Sequence, residues 1–325
     1  MSNLPSASIL APSNRSSWAR MWENAGMLIV FAAMFLVLSF TVPNFFSVPN
    51  LIGLSLSVSM VGMVACTMLF CLASGDFDMS VGAVVAFAGV LAAVLIQWTG
   101  SIFVGVVGAL VAATMVGLFN GFVIARLQIN ALITTLATMQ IVRGLGYITS
   151  SGVAVGIGDE NFFGLGTGSF WGIPNPIWIT LICFILFGFL LNKTTFGRNT
   201  LAVGGNKEAA RLSGINVNKI KIVIFGLQGL MAGFAGIILA SRMTSGQPTA
   251  SNGFELDVIS ACVLGGVSLS GGVGTILGTI IGVLIMGTVQ NALNLMNVPT
   301  FYQYVVRGVI LLLAVLFDQI KQKKI

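Results

Sequence analysis

The feature that most constrains this chain is its division into long apolar runs, at residues 25–42, 51–74, 80–97, 102–125, 131–149, 176–191, 220–241, 255–270, 273–292 and 302–317. A helix needs about 20 apolar residues to cross the roughly 30 Å hydrocarbon core of a bilayer, and the runs approach that length. Barrel strands would instead alternate apolar and polar residues over short segments. Backbone groups in hydrocarbon must be hydrogen-bonded within their own segment, so helices are the expected form. The fold class is therefore all-α, a polytopic integral membrane protein of about ten transmembrane helices. Composition agrees: 56% of residues are hydrophobic and only 7% are charged, against roughly 25% charged in soluble chains. The 40 glycines follow no period and four cysteines are few for 325 residues, which excludes a collagenous or a disulfide-stapled chain.

Two of the runs need comment. The first leads into Pro43, Asn44, Phe45 and Phe46, not into the small residues of a cleavage site, and reads as a retained span. The run at 255–270 begins with Glu255 and Asp257 and ends in the cluster Gly265, Gly266, Gly271, Gly272 and Gly274. It is expected to be broken or re-entrant.

Orientation follows from the basic residues, which favour the cytoplasmic side. With the N-terminus inside, ten spans place residues 126–130, 192–219 and 318–325 in the cytoplasm. Those stretches and the N-terminal tail hold Arg15, Arg20, Arg126, Lys193, Arg198, Lys207, Arg211, Lys219, Lys321, Lys323 and Lys324, and Lys221 lies at the same boundary. Of the 15 Lys and Arg, this leaves Arg143, Arg242 and Arg307. The opposite loop, 150–175, carries Asp159 and Glu160 and no basic residue. Both termini are thus expected in the cytoplasm. Residues 1–24 form one tail, 25–318 the transmembrane domain with the loop 192–219, and 319–325 a second tail. The net charge of +6 is explained by topology and does not call for nucleic acid.

Small residues recur inside the runs, as at Gly117 and Gly121 or Gly226, Gly229, Gly233 and Gly236. They let helices approach closely in lipid and name no substrate. Gly75, Ser80 and Gly82 recur at a constant offset as Gly265, Ser270 and Gly272; an internal repeat of the kind seen in transporters and a chance match in a Gly-rich chain both account for this.

Chemistry-bearing residues are few. There is no His, and Cys66, Cys71, Cys183 and Cys262 lack metal-type spacing, which speaks against a zinc site or a Cys/His nucleophile and leaves them as small core residues. No Gly-x-x-x-x-Gly-Lys-Ser/Thr sequence occurs, so the chain has no phosphate-cradling loop of that kind. No catalytic residue, resident cofactor or metal is expected, and energy for any work must come from elsewhere.

Three groups remain. In the loop 192–219, Asn206 caps a short helix that Gly214 ends, presenting Ala209, Ala210 and Leu212 beside Lys207, Glu208 and Arg211. This is either an interfacial helix lying on the membrane or an apolar knob for another protein. Second, Arg143 falls in an apolar run with Gln140 one turn earlier and Asn120 in the run before. Intramembrane charge faces a protein interior or a wet pathway, or snorkels to the interface. Asp76 and Asp78 either cap the helix starting near Ser80 or line a gate. Third, Glu255, Asp257 and Arg307, with Asn291, Asn294, Tyr302 and Gln303, have the acids, amides and aromatic faces that suit sugar hydroxyls, and equally the polar groups that satisfy helix ends.

The spacing Glu208, Ala209, Ala210, then Gly214 resembles the cytoplasmic loop of ABC importer permeases. The run from Gly204 to Ile215 resembles the ribose/arabinose/galactose permease family in particular, as do Ser74 to Gly82, Gly253 to Leu256 and Val263 to Gly266. The likeness extends from about residue 25 onward, and Phe70 to Asp78, Ile129 to Tyr147 and Ser241 to Pro248 are most similar to its L-arabinose members, while Arg211 to Lys221 is also very like the ribose ones. The resemblance implies an inner-membrane subunit of a bacterial importer, paired as a homodimer. A separate ATP-binding subunit would dock at the short loop helix and hold the ATP and Mg, and a periplasmic sugar-binding protein would deliver a monosaccharide. The rival readings are an ion-coupled secondary transporter, with Arg143, Asp76, Asp78, Glu255 and Asp257 as its relay, and a passive channel.

Overall fold

The computed structural model describes residues 17–323, with the side chains of residues 26–320. The basic residues Arg15 and Lys324 lie outside the described residues, as do the side chains of Arg20, Lys321 and Lys323 and most of both tails.

In chain order the elements are α1 (Ser17–Thr41), α2 (Val48–Ala73), α3 (Val81–Thr99), α4 (Ile102–Arg126), α5 (Ala131–Ser150), β1 (Val155–Gly156), a 3-10 turn (Glu160–Leu165), β2 (Ser169–Phe170), β3 (Ile173–Pro174), α6 (Asn175–Lys193), α7 (Thr195–Gly205), α8 (Lys207–Leu212), α9 (Val217–Met243), β4 (Ser245–Gly246), α10 (Phe254–Leu264), α11 (Ile276–Leu295) and α12 (Thr300–Lys323). Among the described residues eight helices, α2 to α6, α9, α11 and α12, are long and apolar enough to cross a membrane. The apolar part of α1, Gly26–Thr41, is shorter. The four strands are two-residue antiparallel pairings, β1 with β4 and β2 with β3.

The interior is built where small residues let helices touch. A Cβ on Gly117 of α4 would overlap the Phe225 carbonyl of α9, and one on Gly229 of α9 would overlap the Ala113 carbonyl of α4. In lipid such contact supplies the dispersion energy that water-driven burial cannot. Large apolar side chains face outward instead, including Phe119 on α4, Phe189 on α6 and Leu313 on α12, as expected of surfaces whose solvent is hydrocarbon. Asn50 of α2 and Asn291 of α11 exchange two amide hydrogen bonds, of 3.0 and 2.7 Å.

The run at 255–270 is broken, and the structure shows how. Helix α10 has only 11 residues, or about 16 Å of helix. The stretch 244–253 before it is extended and turned, and it runs alongside α3: Gly246 lies against the backbone of Gly89 and Val90, and Ser251 reaches Gly82. The chain between α2 and α3, residues 74–80, is likewise non-helical. Non-helical backbone inside a membrane protein needs partners other than lipid, and those partners define the sites below.

Candidate functional site

The first site is a junction of three turns. Helix α7 starts under the cap of Thr194, whose Oγ1 accepts from the Gly197 N–H at 3.2 Å, and its Phe196 ring stacks on Phe70 of α2 with centroids 5.8 Å apart. At its far end, Gly204 sits so close to the Ala73 carbonyl and the Gly272 amide that a Cβ there would overlap both. Gly272 N–H in turn donates to the Ala73 carbonyl at 2.9 Å. Gly271 and Gly272 hold φ of 85° and 77°, a left-handed conformation that costs glycine little. Thus α7, the end of α2 and the turn between α10 and α11 meet at one point. The two halves of the sequence echo, around Gly75 and around Gly271, touch here.

Helix α8 hangs from this junction. Asn206 Oδ1 accepts from the Ala209 N–H at 2.9 Å, and Gly214, at φ 83°, turns the chain out of the helix. The expected cap and stop are both present, but the helix has six residues, Lys207–Leu212. The apolar surface expected of it needs correction. Ala210 is buried and clusters with Val203 of α7 and Val217 of α9, so it seats the helix on the bundle. Leu212, 87% exposed, and Ala209, Glu208 and Arg211, all exposed, form the free face. Lys207, Glu208 and Arg211 border a 610 Å³ surface depression that continues over Gly214, Asn216 and Gln128.

The second site is the polar web around residues 74–80. Asp76 forms an ion pair with Lys221 of α9, and both side chains are largely buried. Asp78 accepts from the Ser80 N–H at 2.8 Å and from its hydroxyl at 2.6 Å, a local turn that holds the residue preceding α3, while no side chain caps α3 itself. Asn120 of α4, fully buried, donates to Ser80 Oγ at 3.1 Å and accepts from the Thr138 hydroxyl of α5 at 2.7 Å. Of the two acids, Asp78 is bound locally to Ser80 and Asp76 ties the turn to α9.

Arg143 faces the protein, the first of its two alternatives. Its Nη1 donates to the carbonyls of Pro248 at 3.2 Å and Ala250 at 2.7 Å. It satisfies backbone acceptors that the unwound stretch 244–253 leaves without helical donors. It also attracts Glu255, which is buried at the start of α10 with its carboxylate against Gly82. Gln140 is exposed on α5.

The third site lies on α10. Asp257 Oδ2 pairs with Arg307 Nη1 of α12 at 3.2 Å, and the Arg307 guanidinium lies 5.7 Å from the Tyr304 ring centre. Asp257 also borders a cavity of 330 Å³ that Ser57, Arg242, Phe254 and Gln290 help to line. Asn291 is not among these lining residues; its amide is paired with Asn50. Asn294 instead accepts from Gln303 at 3.0 Å.

The sequence reading missed α7, the partner of Asp76 and two lining residues, Arg242 and Gln290. Gln290 carried a signal, since it is a lone amide beside Asn291 in an apolar run. Adjacent helical residues point about 100° apart, so burying one in a helix contact leaves the other free to face elsewhere. Gln228 of α9, fully buried with neither amide atom hydrogen-bonded, was also passed over.

Comparison with known proteins gives consistent matches. Residues 50–315 match the family described as "Branched-chain amino acid transport system / permease component". The chain is 61% identical over 323 residues to the L-arabinose transport system permease protein AraH of Escherichia coli K12, covering 99% of this chain and 98% of that one. It is 56% identical over 320 residues to the L-arabinose ABC transporter permease protein AraH of Azospirillum brasilense, covering 98% and 94%. To the ribose import permease protein RbsC of E. coli K12 it is 41% identical over 299 residues, covering 91% and 93%. No solved structure matches the chain at a significant level.

Proposed function

The chain belongs to the branched-chain amino acid transport system permease family, and from that membership we propose that it is the membrane subunit of a bacterial ABC importer carrying a monosaccharide, L-arabinose, across the inner membrane. Its similarity along nearly its whole length to two L-arabinose permeases supports the sugar. In this reading the chain is a transport subunit without catalysis of its own. Both termini and the α7–α8 face lie in the cytoplasm, where the basic residues cluster. Two copies form the pathway, a periplasmic sugar-binding protein delivers the sugar to the opposite face, and ATP with Mg is held by a separate subunit docked on α8.

The observation that carries the mechanism is the contact of Gly204 with Ala73 and Gly272. Force applied to the exposed face of α8 passes through the seated Ala210 and through α7 into two turns at once. One turn joins α2 to α3, the other α10 to α11. Close-packed backbone contacts have little slack, so a small displacement of α8 must move both turns or break the contact. The unwound stretches 74–80 and 244–253 are where the chain can flex, because fewer backbone bonds run along the segment there. ATP-driven closure of the docked subunits would thereby tilt α3 and α10 and switch access from one face to the other.

The test is uptake by proteoliposomes holding this chain with its ATPase and binding protein. L-Arabinose should accumulate with ATP, and a proton uncoupler should leave uptake intact. Uptake by the chain alone without ATP would reject the reading in favour of a carrier or channel.

A further inference from the structure

We infer that the permease carries its own weak sugar subsite, in the cavity bounded by Ser57, Arg242, Phe254, Asp257 and Gln290. The inference rests on the transport reading above and adds a place where the sugar pauses on the way. The cavity holds 330 Å³, at the low end of the roughly 300–1,000 Å³ of ligand pockets, which suits a monosaccharide. Its lining has the mixed chemistry that a sugar ring demands. Phe254 and Met60 present apolar surface to ring C–H groups, while a carboxylate, an amide, a hydroxyl and a guanidinium offer both donors and acceptors.

The second observation is spare hydrogen-bonding capacity. Asp257 is only 6% exposed; Oδ2 is paired with Arg307, the carboxylate's other interaction is with the Gln290 side chain, and Oδ1 forms no well-aligned hydrogen bond. Gln290 Nε2, beside that carboxylate, is also buried without a well-aligned hydrogen bond. Buried polar atoms are ordinarily satisfied, because leaving one bare forfeits its bonds to water without replacement. A carboxylate oxygen and an amide N–H side by side are complementary to a hydroxyl, which donates to the first and accepts from the second. Arg307, paired with Oδ2, holds the carboxylate in place from behind and acts as a positioning residue. Four helices supply most of the lining, α2, the end of α9, α10 and α11, and the unwound stretch adds Ala250 and Ser251. Two of these, α2 and α10, lead into the turns that Gly204 contacts, so a displacement of α8 would alter the cavity and release the sugar. Weak binding fits this role, since a tight site would retain cargo.

The test uses the reconstituted permease, ATPase and binding protein, with uptake of labelled L-arabinose and ATP hydrolysis measured together at saturating binding protein. Gln290→Leu and, separately, Asp257→Asn should cut sugar moved per ATP hydrolysed at least fivefold, and change the ratio of L-arabinose to D-ribose uptake. Asp257→Glu should restore part of the yield. A photoreactive arabinose analogue should label α10 or α11, and excess arabinose should block the labelling. Unchanged yield and sugar preference in Gln290→Leu, or uptake and hydrolysis falling in strict proportion in both variants, overturns the subsite. Failure of the wild-type assembly to move arabinose with ATP would instead overturn the transport reading itself.

Discussion

Gly204 at the end of α7 rests on the carbonyl oxygen of Ala73, the last residue of α2, with no space for a side chain between them. That contact makes α7 a strut between the exposed helix α8 and the membrane bundle, and the adjacent Gly205 provides a control. A Cβ on Gly205 would stand 3.9 Å from Gly272 Cα, an ordinary contact. We expect Gly204→Val to reduce ATP-driven uptake more than tenfold while the ATPase still co-purifies, and Gly205→Ala to stay within twofold of wild type. Equal loss in both variants would remove the strut from the mechanism.

The free face of α8 and its seat have different roles. Leu212→Asp should weaken co-purification of the ATPase at least tenfold and leave the melting temperature of the isolated permease unchanged, because the side chain touches little of its own chain. Ala210→Asp should lower that melting temperature, since it forces a carboxylate among Val203 and Val217. Thermal unfolding in detergent together with ATPase pull-down separates the two, and a lowered melting temperature in Leu212→Asp would contradict the assignment.

The Asp76–Lys221 pair ties the α2–α3 turn to α9. Removing one partner of a buried pair leaves an uncompensated charge, at a cost of about 3–5 kcal/mol. Lys221→Met alone should therefore destabilise strongly, and adding Asp76→Asn should recover most of the loss. A double-mutant cycle by thermal unfolding measures the coupling, and independent effects would mean that the pair does not form.

Thr138 is the last member of the chain Asp78, Ser80, Asn120, Thr138. Thr138→Val keeps the shape but leaves Asn120 Oδ1 without its donor, a loss of about 1–3 kcal/mol. Thr138→Ser should be close to neutral. Stability curves of the two variants check this, and a neutral Thr138→Val would show that Asn120 finds another donor.

Arg143 predicts a local effect on the unwound stretch. Arg143→Leu removes both donors from the Pro248 and Ala250 carbonyls, so hydrogen exchange at residues 244–253 should accelerate while α4 and α9 remain protected. Arg143→Lys should restore part of the protection, since a single ammonium lacks the planar fork of the guanidinium. Unchanged exchange in Arg143→Leu would make the arginine dispensable to the stretch.

Sequence alone placed eight of the ten expected runs as helices long enough to span, because lipid imposes a local requirement: each segment must be long, apolar and internally hydrogen-bonded. The same local rules located the break in residues 255–270, where acids and glycines interrupt the run, and the start and stop of α8 at Asn206 and Gly214. The resemblance in the α8 loop pointed to the family to which the comparisons assign the chain. What only the tertiary structure decided was which polar group meets which. Arg143 meets carbonyls more than a hundred positions away in the chain, Asp76 meets Lys221, and Asn291 meets Asn50 while its neighbour Gln290 lines the cavity. No hydropathy pattern encodes these pairings. They follow from helix rotation and from the close approach of glycine-lined backbones, such as Gly117 on Gly229 and Gly204 on Ala73, which set the distances over which a charge or an amide can reach its partner.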